Sequence, residues 1–179
     1  MMIASFRAAL VTLLVAFSTL AMADARTDAM ELLSRVNGAT RHLSYTGTFV
    51  YQHGNQSESS RITRIVDGTH VSEKLETLDG QPREVVRSDD DVVCYLPALS
   101  MLRIDKYSAQ NSFPAVLPER PGELLQNYDV QKGEMQRVAG YDCHVLTLLP
   151  RDNMRYGHKL WIDSQTDMLI RVKTFDARH

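Results

Sequence analysis

The residues best placed to do chemistry form an acid-rich step near the end of the chain, DSQTD at residues 163–167. A carboxylate acts as a general base when its pKa is tuned by its surroundings, commonly by a histidine or a second carboxylate held beside it. The sequence places no such partner for Asp163, whereas Asp and Ser side chains readily bond to the backbone two residues further on. We therefore predict a hairpin turn from Asp163 to Thr166 and no acid–base catalysis.

Metal and nucleophile chemistry have no better candidates. The six histidines show no metal-ligand spacing, and Cys143 and His144 are adjacent in a predicted strand, so their side chains point to opposite faces. The run Asp89 to Asp91 lacks the glycine of a calcium loop and is typical of a solvated turn. Nucleophile-elbow, phosphate-loop, zinc-protease and Cys-x-x-Cys motifs are absent from the sequence. The sequence predicts a protein that is not an enzyme and has no metal or cofactor.

The first 23 residues have the composition of a cleaved export signal. Arg7 supplies a positive charge, Ala8 to Leu20 form an apolar run, and Ala21-Met22-Ala23 is a small-x-small cleavage pattern. A membrane helix is the alternative, but a span needs roughly 20 apolar residues. We therefore predict a mature chain that begins at Asp24, is exported, and does not span the membrane.

Charge and length limit the function classes. The 179 residues suit one domain, and the formal charge is −2, which becomes −3 without residues 1–23. Such a mild negative charge argues against nucleic acid as a partner.

The two cysteines, Cys94 and Cys143, would meet an oxidising compartment after export, which favours pairing. A disulfide between them would close a loop of about 50 residues and stabilise the fold by roughly 4 kcal/mol. We predict this disulfide, with two separate buried thiols as the alternative.

Hydrophobic periodicity predicts two helices. The first runs from Asp28 to about Thr40, where Asp28 and Glu31 form a capping box. The second begins at Pro121, with Leu124 facing inward.

From Ser44 onward the period changes to two, which indicates strands separated by turns such as Asp67-Gly68 and Asp79-Gly80. Arg83, Glu84 and Arg87 are predicted to pair across strands on an exposed face. The predicted strands are Tyr45–Tyr51, Arg61–Val66, Thr69–Glu76, Arg83–Arg87, Val92–Leu96, Met101–Lys106, Gln136–Val138, Tyr141–Leu149, His158–Asp163 and Leu169–Phe175. A sheet of this size curls. We predict an α+β fold, a curved antiparallel sheet forming an open half-barrel with helices packed on its concave face.

Apolar side chains spread over several strands are candidates for a ligand-binding cleft. They are Phe49, Tyr51, Leu75, Tyr95, Tyr156 and Trp161, together with Phe113 in the proline-rich stretch from Pro97 to Pro121. Packing in the core is the alternative for these residues, because large apolar side chains are usually buried. For the proline-rich stretch, a packed surface loop and a lid or partner-docking segment both stay open.

Several short motifs, taken in order, resemble the RseB/MucB family. In the first half they are Gly47-Thr48-Phe49-Val50-Tyr51, Leu78-Asp79-Gly80, Pro82 to Arg87, and Cys94-Tyr95-x-Pro97. In the second half they are Ala139-Gly140-Tyr141-x-Cys143, Leu148-x-Pro150-Arg151-Asp152-x-x-Arg155-Tyr156-Gly157, and Leu160-Trp161-Ile162-Asp163-x-x-Thr166. The resemblance runs from about Ala29 to the last residues.

The resemblance implies a periplasmic negative regulator of the envelope-stress response in Gram-negative bacteria. Such proteins bind the periplasmic domain of an anti-sigma factor and shield it from proteolysis. The large domain of the family is similar to the carriers LolA and LolB, open β-barrels with helices. It is thought to sense lipid, which implies a cleft for lipid, lipopolysaccharide or lipoprotein acyl chains.

Family members continue beyond the point where this chain stops, into a smaller C-terminal domain. We therefore expect residues 24–179 to form an RseB/MucB-type N-terminal domain that is truncated at its C-terminal edge and lacks the small domain.

Two other functions compete with the regulator. A periplasmic lipoprotein or lipid carrier of the LolA/LolB type would transfer cargo to an acceptor. A hydrolase would need an activity without a recognisable nucleophile, and we rank it last.

Overall fold

The fold is taken from a computed structural model, which describes residues 27–88, 91–106 and 121–176. The predicted export signal, its cleavage pattern and Phe113 lie outside the described residues. The chain divides into two compact units, Arg41–Val116 and the combination of Met1–Thr40 with Leu117–His179. Each unit contains its own sheet.

The unit Arg41–Val116 contains six antiparallel strands that follow one another in chain order across a single sheet. The strands are β1 (Tyr45–His53), β2 (Gln56–Asp67), β3 (His70–Thr77), β4 (Glu84–Ser88), β5 (Asp91–Leu96) and β6 (Met101–Lys106). Tight turns allow this order, since Gly54 and Gly68 adopt φ of +58° and +60° in the β1–β2 and β2–β3 turns. The predicted antiparallel strands separated by turns are confirmed here.

A longer connection joins β3 to β4, and a carboxylate holds it against β2. Both oxygens of Asp79 accept a hydrogen bond from the backbone N–H of Ser59, at 2.9 and 3.1 Å, and the N–H of Leu78 donates to the Ser59 carbonyl at 2.9 Å. The Asp79-Gly80 pair therefore provides turn chemistry, as predicted, and also fixes the turn to the neighbouring strand.

The second unit contains a four-stranded antiparallel sheet in the order β10-β9-β8-β7. Its strands are β7 (Tyr128–Val138), β8 (Tyr141–Pro150), β9 (Gly157–Asp163) and β10 (Leu169–Phe175). Two helices belong to the same unit, α1 over residues 27–42, of which 27–40 fall within it, and α2 (Pro121–Asn127).

One face of the four-stranded sheet, here called the Leu160 face, packs with helix α1. Leu146, Leu148, Leu160 and Ile162 lie on it, and all four are fully buried. The apolar stripe of α1, made of Ala29, Leu32, Leu33 and Val36, is buried as well. Ion pairs fix both halves of α1 to this unit, from Asp28 to Lys132 at 3.5 Å and from Arg35 to Asp167 at 3.1 Å. The predicted helix and its inward residues are confirmed.

The opposite face, here called the Trp161 face, forms a second core layer. Trp161 packs with the fully buried Cys143 and with Val145, and its indole N–H donates to the Gln136 side-chain oxygen at 2.8 Å. The cations of Lys159 and Arg171 lie 5.1 and 4.8 Å from the indole ring centre. Both faces of this sheet are therefore buried at its centre.

The turn at residues 163–166 is confirmed. The Asp163 carboxylate accepts hydrogen bonds from the hydroxyl and the backbone N–H of Thr166, at 2.6 and 3.1 Å. Since Asp163 is buried and fully occupied in shaping this turn, its role is structural.

The prediction of a disulfide is wrong, because Cys94 and Cys143 are both free in the structure. Cys94 is half-buried in β5, whereas Cys143 is fully buried in β8 and donates its thiol to the Tyr141 carbonyl at 3.6 Å. Burial raises the pKa of the Cys143 thiol, and the negative charges of Asp163 and Asp142 raise it further. The alternative of two separate thiols is the one that the structure contains.

The predicted fold class is confirmed as mainly antiparallel sheet with few helices. The strands divide between two sheets, however, and both sheets have two free edges within the described residues. The packing of helices on the concave face of one half-barrel stays a prediction.

Candidate ligand-binding face

The six-stranded sheet has one largely buried face, which we call the Ile62 face. Strand register places a row of apolar side chains across it, with Ile62 opposite Leu75, Leu75 opposite Val85, and Val85 opposite Cys94. Ile62 and Val85 are only 4% and 7% exposed. This apolar row is a candidate contact surface for an apolar ligand.

A row of charged side chains runs beside the apolar row, two residues further along each strand. Arg64, Glu73 and Arg87 are direct neighbours on β2, β3 and β4. The Glu73 carboxylate accepts from Arg64 Nη1 at 3.3 Å and from Arg87 Nη1 at 2.7 Å. The side chains of Glu73, Arg64 and Arg87 are 5%, 13% and 21% exposed. This ionic cluster is therefore largely removed from water.

The hydroxyl of Tyr45 lies beside the ionic cluster and has a shifted pKa. Tyr45 lies opposite Arg64 on β1, and burial raises the pKa of its hydroxyl, with the Glu73 charge adding to the effect and Arg64 opposing it. Two guanidinium groups share one carboxylate, so the cluster has a formal charge of +1. Among the buried side-chain nitrogen and oxygen atoms that the structure describes, only Arg64 Nε has no hydrogen-bond partner.

The other end of the Ile62 face is polar and open. A cleft of about 760 Å³ lies between the tip of the β1–β2 hairpin and the β3–β4 connection. Side chains of Tyr51, His53, Glu58, Thr77 and Arg83 contribute to its lining. The Ile62 face thus runs from a polar rim, through an apolar row, to a buried cationic end.

The structure brings three of the predicted ligand residues together. Phe49, Tyr51 and Leu75 share the Ile62 face. Leu75 lies directly opposite Ile62, and Phe49 lies opposite Ser60, which is two residues before Ile62 on the same face of β2. Phe49 and Leu75 are half-buried, whereas Tyr51 is 62% exposed at the polar rim.

Three other predicted residues lie elsewhere. Tyr95 pairs with Glu84 and Leu102 on the opposite face of the six-stranded sheet and is exposed. Tyr156 is exposed in the segment before β9, and Trp161 is buried in the core of the other unit. Tyr95 therefore does not join the apolar row of the Ile62 face, and Tyr156 and Trp161 belong to the other unit.

The ionic cluster itself was not predicted. The expected cross-strand pairing is confirmed for Glu84, which pairs with Lys74 at 3.4 Å, and for Arg87, which pairs with Glu73 at 2.7 Å. The expectation that Arg87 lies on an exposed face is wrong, because its side chain is only 21% exposed. One signal was available: Glu73 stands between Val71 and Leu75 in the period-two pattern, so it occupies an apolar position of β3.

The arrangement is suited to binding. Its apolar row offers contact area, while its ionic cluster offers donors for an anionic group. Within residues 27–88, 91–106 and 121–176, no three His, Cys, Asp or Glu side chains come together as a metal site. The same residues contain no helix of the length and apolarity needed to cross a bilayer.

Comparison with known proteins gives a consistent picture. The sequence model of a family described as the MucB/RseB N-terminal domain matches residues 28–179. The chain is 34% identical over 145 residues to the sigma factor AlgU regulatory protein MucB of Pseudomonas aeruginosa, covering 80% of this chain and 44% of the relative. It is 30% identical over 173 residues to the sigma-E factor regulatory protein RseB of Salmonella typhimurium, covering 96% of this chain and 53% of the relative.

The solved structures agree with the sequence matches. The complex of Pseudomonas aeruginosa MucA and MucB contains a chain that matches with a TM-score of 0.67 and 31% identity, over 84% of this chain and 52% of that chain. A crystal structure of MucB alone matches with a TM-score of 0.69 and 30% identity, over 85% of this chain and 54% of that chain. The present chain therefore spans about half the length of the proteins that it matches.

Proposed function

Because this chain belongs to the MucB/RseB N-terminal domain family, we propose that it is a periplasmic negative regulator of an envelope-stress sigma factor and not an enzyme. In this role it binds the periplasmic domain of an anti-sigma factor and shields that domain from proteolysis. The observation that carries the proposal is the family match over residues 28–179, together with the likeness to the MucB chain of a solved MucA/MucB complex.

The Ile62 face supplies the sensing part of the proposed function. A lipid, lipopolysaccharide or lipoprotein acyl chain would lie along Ile62, Leu75 and Val85, and it would lower the affinity for the anti-sigma factor. Such a ligand can shift the equilibrium only by the difference between its affinities for the two states of the protein. The apolar row beside a cationic end supports a ligand of this kind.

A protection experiment tests the regulator role. The purified chain is mixed with the periplasmic domain of the anti-sigma factor from the same genome, and a non-specific protease is added. We expect the chain to slow cleavage of the anti-sigma domain, and acyl chains to restore cleavage. No protection at any ratio of the two proteins would contradict a shielding role for this chain.

A matched pair of variants tests the sensing role. Leu75→Asp places a charge in the apolar row, whereas Ser72→Asp places the same charge on the exposed face of the same strand. We expect Leu75→Asp to abolish the lipid response and Ser72→Asp to retain it, while both variants still protect the anti-sigma domain. Circular dichroism of both variants shows whether the sheet is intact.

A lipoprotein or lipid carrier is the second candidate, favoured by the apolar row alone. A carrier would transfer labelled acyl cargo from one vesicle population to a membrane acceptor. The regulator should bind cargo without accelerating this transfer, so transfer by the chain would favour the carrier.

A further inference from the structure

Among the side chains that the structure describes, the ionic cluster of Arg64, Glu73 and Arg87 contains two guanidinium groups and one carboxylate. Glu73 already accepts one hydrogen bond from each arginine, at 3.3 and 2.7 Å, so a single carboxylate serves two guanidinium groups. An uncompensated charge removed from water is costly, and it is normally balanced by a counter-charge or by further hydrogen bonds. The cluster therefore has capacity for a second anionic group.

One donor of the cluster identifies where this group would bind. Arg64 Nε is buried and has no hydrogen-bond partner, although the side chain around it is 13% exposed. Buried donors in folded proteins are nearly always satisfied, and an exception calls for an explanation such as strain, a water molecule or a bound ion. Guanidinium groups match carboxylate and phosphate oxygens well, because their N–H donors lie in one plane.

The position of the cluster defines the class of molecule that could supply the acceptor. Arg64 is two residues from Ile62 on β2, and Glu73 is two residues from Leu75 on β3, so the charged row adjoins the apolar row. An acyl chain on the apolar row would place an anionic head group within reach of the arginines. A small free anion would use the same donors without the chain.

We propose that Arg64 and Arg87, held by Glu73, form an anion-binding subsite that accepts a phosphate or carboxylate group at Arg64 Nε. Glu73 acts as a positioning residue, because it orients both guanidinium groups without contacting the anion. This site goes beyond the proposed regulator role, and only its use by an amphiphile depends on the proposed ligand face.

Inorganic phosphate is the first probe, titrated into the full chain with sodium chloride replaced to hold ionic strength constant. Ligands that bind the folded state raise the melting temperature. We expect phosphate, and not chloride, to raise the melting temperature of the wild type. If phosphate changes nothing, water satisfies the Arg64 donor and the proposal is wrong.

Three variants locate the effect. Arg64→Lys keeps the charge but removes the Nε donor, and it should weaken phosphate binding about tenfold, the size expected for one lost charge-assisted hydrogen bond. Arg61→Gln removes an exposed charge from the other face of the same strand and should leave binding unchanged. Glu73→Gln keeps a side-chain oxygen that can still orient the arginines but removes the negative charge that repels an anion, so it should tighten phosphate binding. A cluster with a purely structural role would not show this tightening. Equal weakening by Arg61→Gln and Arg64→Lys would overturn the proposal, because it would indicate non-specific charge attraction.

Decyl phosphate and decanoate distinguish the sources of the anion. If decyl phosphate binds more tightly than inorganic phosphate, and Leu75→Asp removes this difference, the ligand is an amphiphile on the apolar row. If decyl phosphate and inorganic phosphate bind equally, the ligand is a free anion, which supports the subsite and counts against the sensing role. If the chain does not protect the anti-sigma domain but does bind phosphate, the regulator role is contradicted and the anion-binding subsite is supported.

Discussion

The two sheets of this protein consist of the same kind of antiparallel hairpins, yet they bury side chains differently. In the four-stranded sheet both faces are closed at the centre, with Leu160 and Ile162 fully buried on one and Cys143 and Val145 buried on the other. In the six-stranded sheet one face contains Ile62 and Val85, whereas the opposite face exposes apolar residues. These are Val50, Ile65, Val86, Tyr95, Leu102 and Ile104, which are 37–66% exposed.

The difference follows from what each sheet has available within its own unit. Helix α1 supplies an apolar stripe to the Leu160 face, and Gln136, Lys159 and Arg171 surround the indole of Trp161 on the other face. The buried face of the six-stranded sheet contains an ionic cluster beside its apolar row. Close packing of the apolar Leu160 face favours one rigid arrangement, whereas the Ile62 face contains a buried donor, Arg64 Nε, that has no hydrogen-bond partner. We therefore interpret the four-stranded sheet as scaffold and the six-stranded sheet as the binding element.

The sharpest test of this comparison is the loss of side-chain volume in each sheet. Leu160→Ala removes a fully buried side chain of the four-stranded sheet and should lower the free energy of unfolding by about 4 kcal/mol. Ile104→Ala removes a side chain that is 66% exposed and should change it by less than about 0.5 kcal/mol. Urea unfolding monitored by circular dichroism measures both. Similar losses in the two variants would contradict the division into scaffold and binding element.

The ionic cluster provides the second test. Glu73→Gln leaves two largely buried guanidinium groups without a counter-charge and should cost about 2 to 3 kcal/mol, below the range for a fully buried pair because both arginines retain some access to water. Glu76→Gln on the opposite face, where Glu76 pairs with Lys74 at 3.0 Å, should have little effect. Added phosphate should recover part of the loss in Glu73→Gln and none in Leu160→Ala.

A smaller, pH-dependent contribution to the free energy of unfolding should come from His158 in the four-stranded sheet. Burial lowers the pKa of His158, whose ring lies 6.0 Å from that of Tyr128 and whose Nδ1 is 3.1 Å from the Thr174 hydroxyl. The unfolded chain therefore binds a proton more readily, so this contribution to stability is complete above the unfolded pKa of about 6.5 and decreases as pH falls towards the lower folded value. One proton limits the slope to about 1.4 kcal/mol per pH unit.

Unfolding curves between pH 7.5 and pH 5 measure this dependence. His158→Asn should flatten the acid limb, while His53→Asn, at an exposed position of the β1–β2 hairpin, should leave it as in the wild type. An acid limb unchanged by His158→Asn would mean that other groups produce it.

Much of the secondary structure was predictable because local patterns carry it. The period of two predicted β6 and β10 with their observed bounds, and the turn chemistry of Asp163 and Thr166 predicted the β9–β10 hairpin. The first eight residues of β7 were missed. They are mostly polar and exposed, and a register shift between Gly133 and Gln136 interrupts the alternation.

The candidate site was predictable only within single strands. Phe49 and Tyr51 are two residues apart in β1 and so share one face, but their relation to Tyr95 depends on the register of four intervening hairpins. A shift of one residue in any of them exchanges the faces. For the same reason the pairing of Glu73 with Arg64 and Arg87 could not be read from their positions in the chain.

By itself, the sequence determined the antiparallel hairpins, the helix at residues 27–42 and the resemblance to the MucB/RseB family, because propensity, period and motif order are local properties. Only the tertiary structure decided that the strands form two sheets, that Trp161 belongs to a core, and that three charged residues meet beside an apolar row. Those outcomes depend on strand register and burial, which arise from contacts between residues distant in the chain.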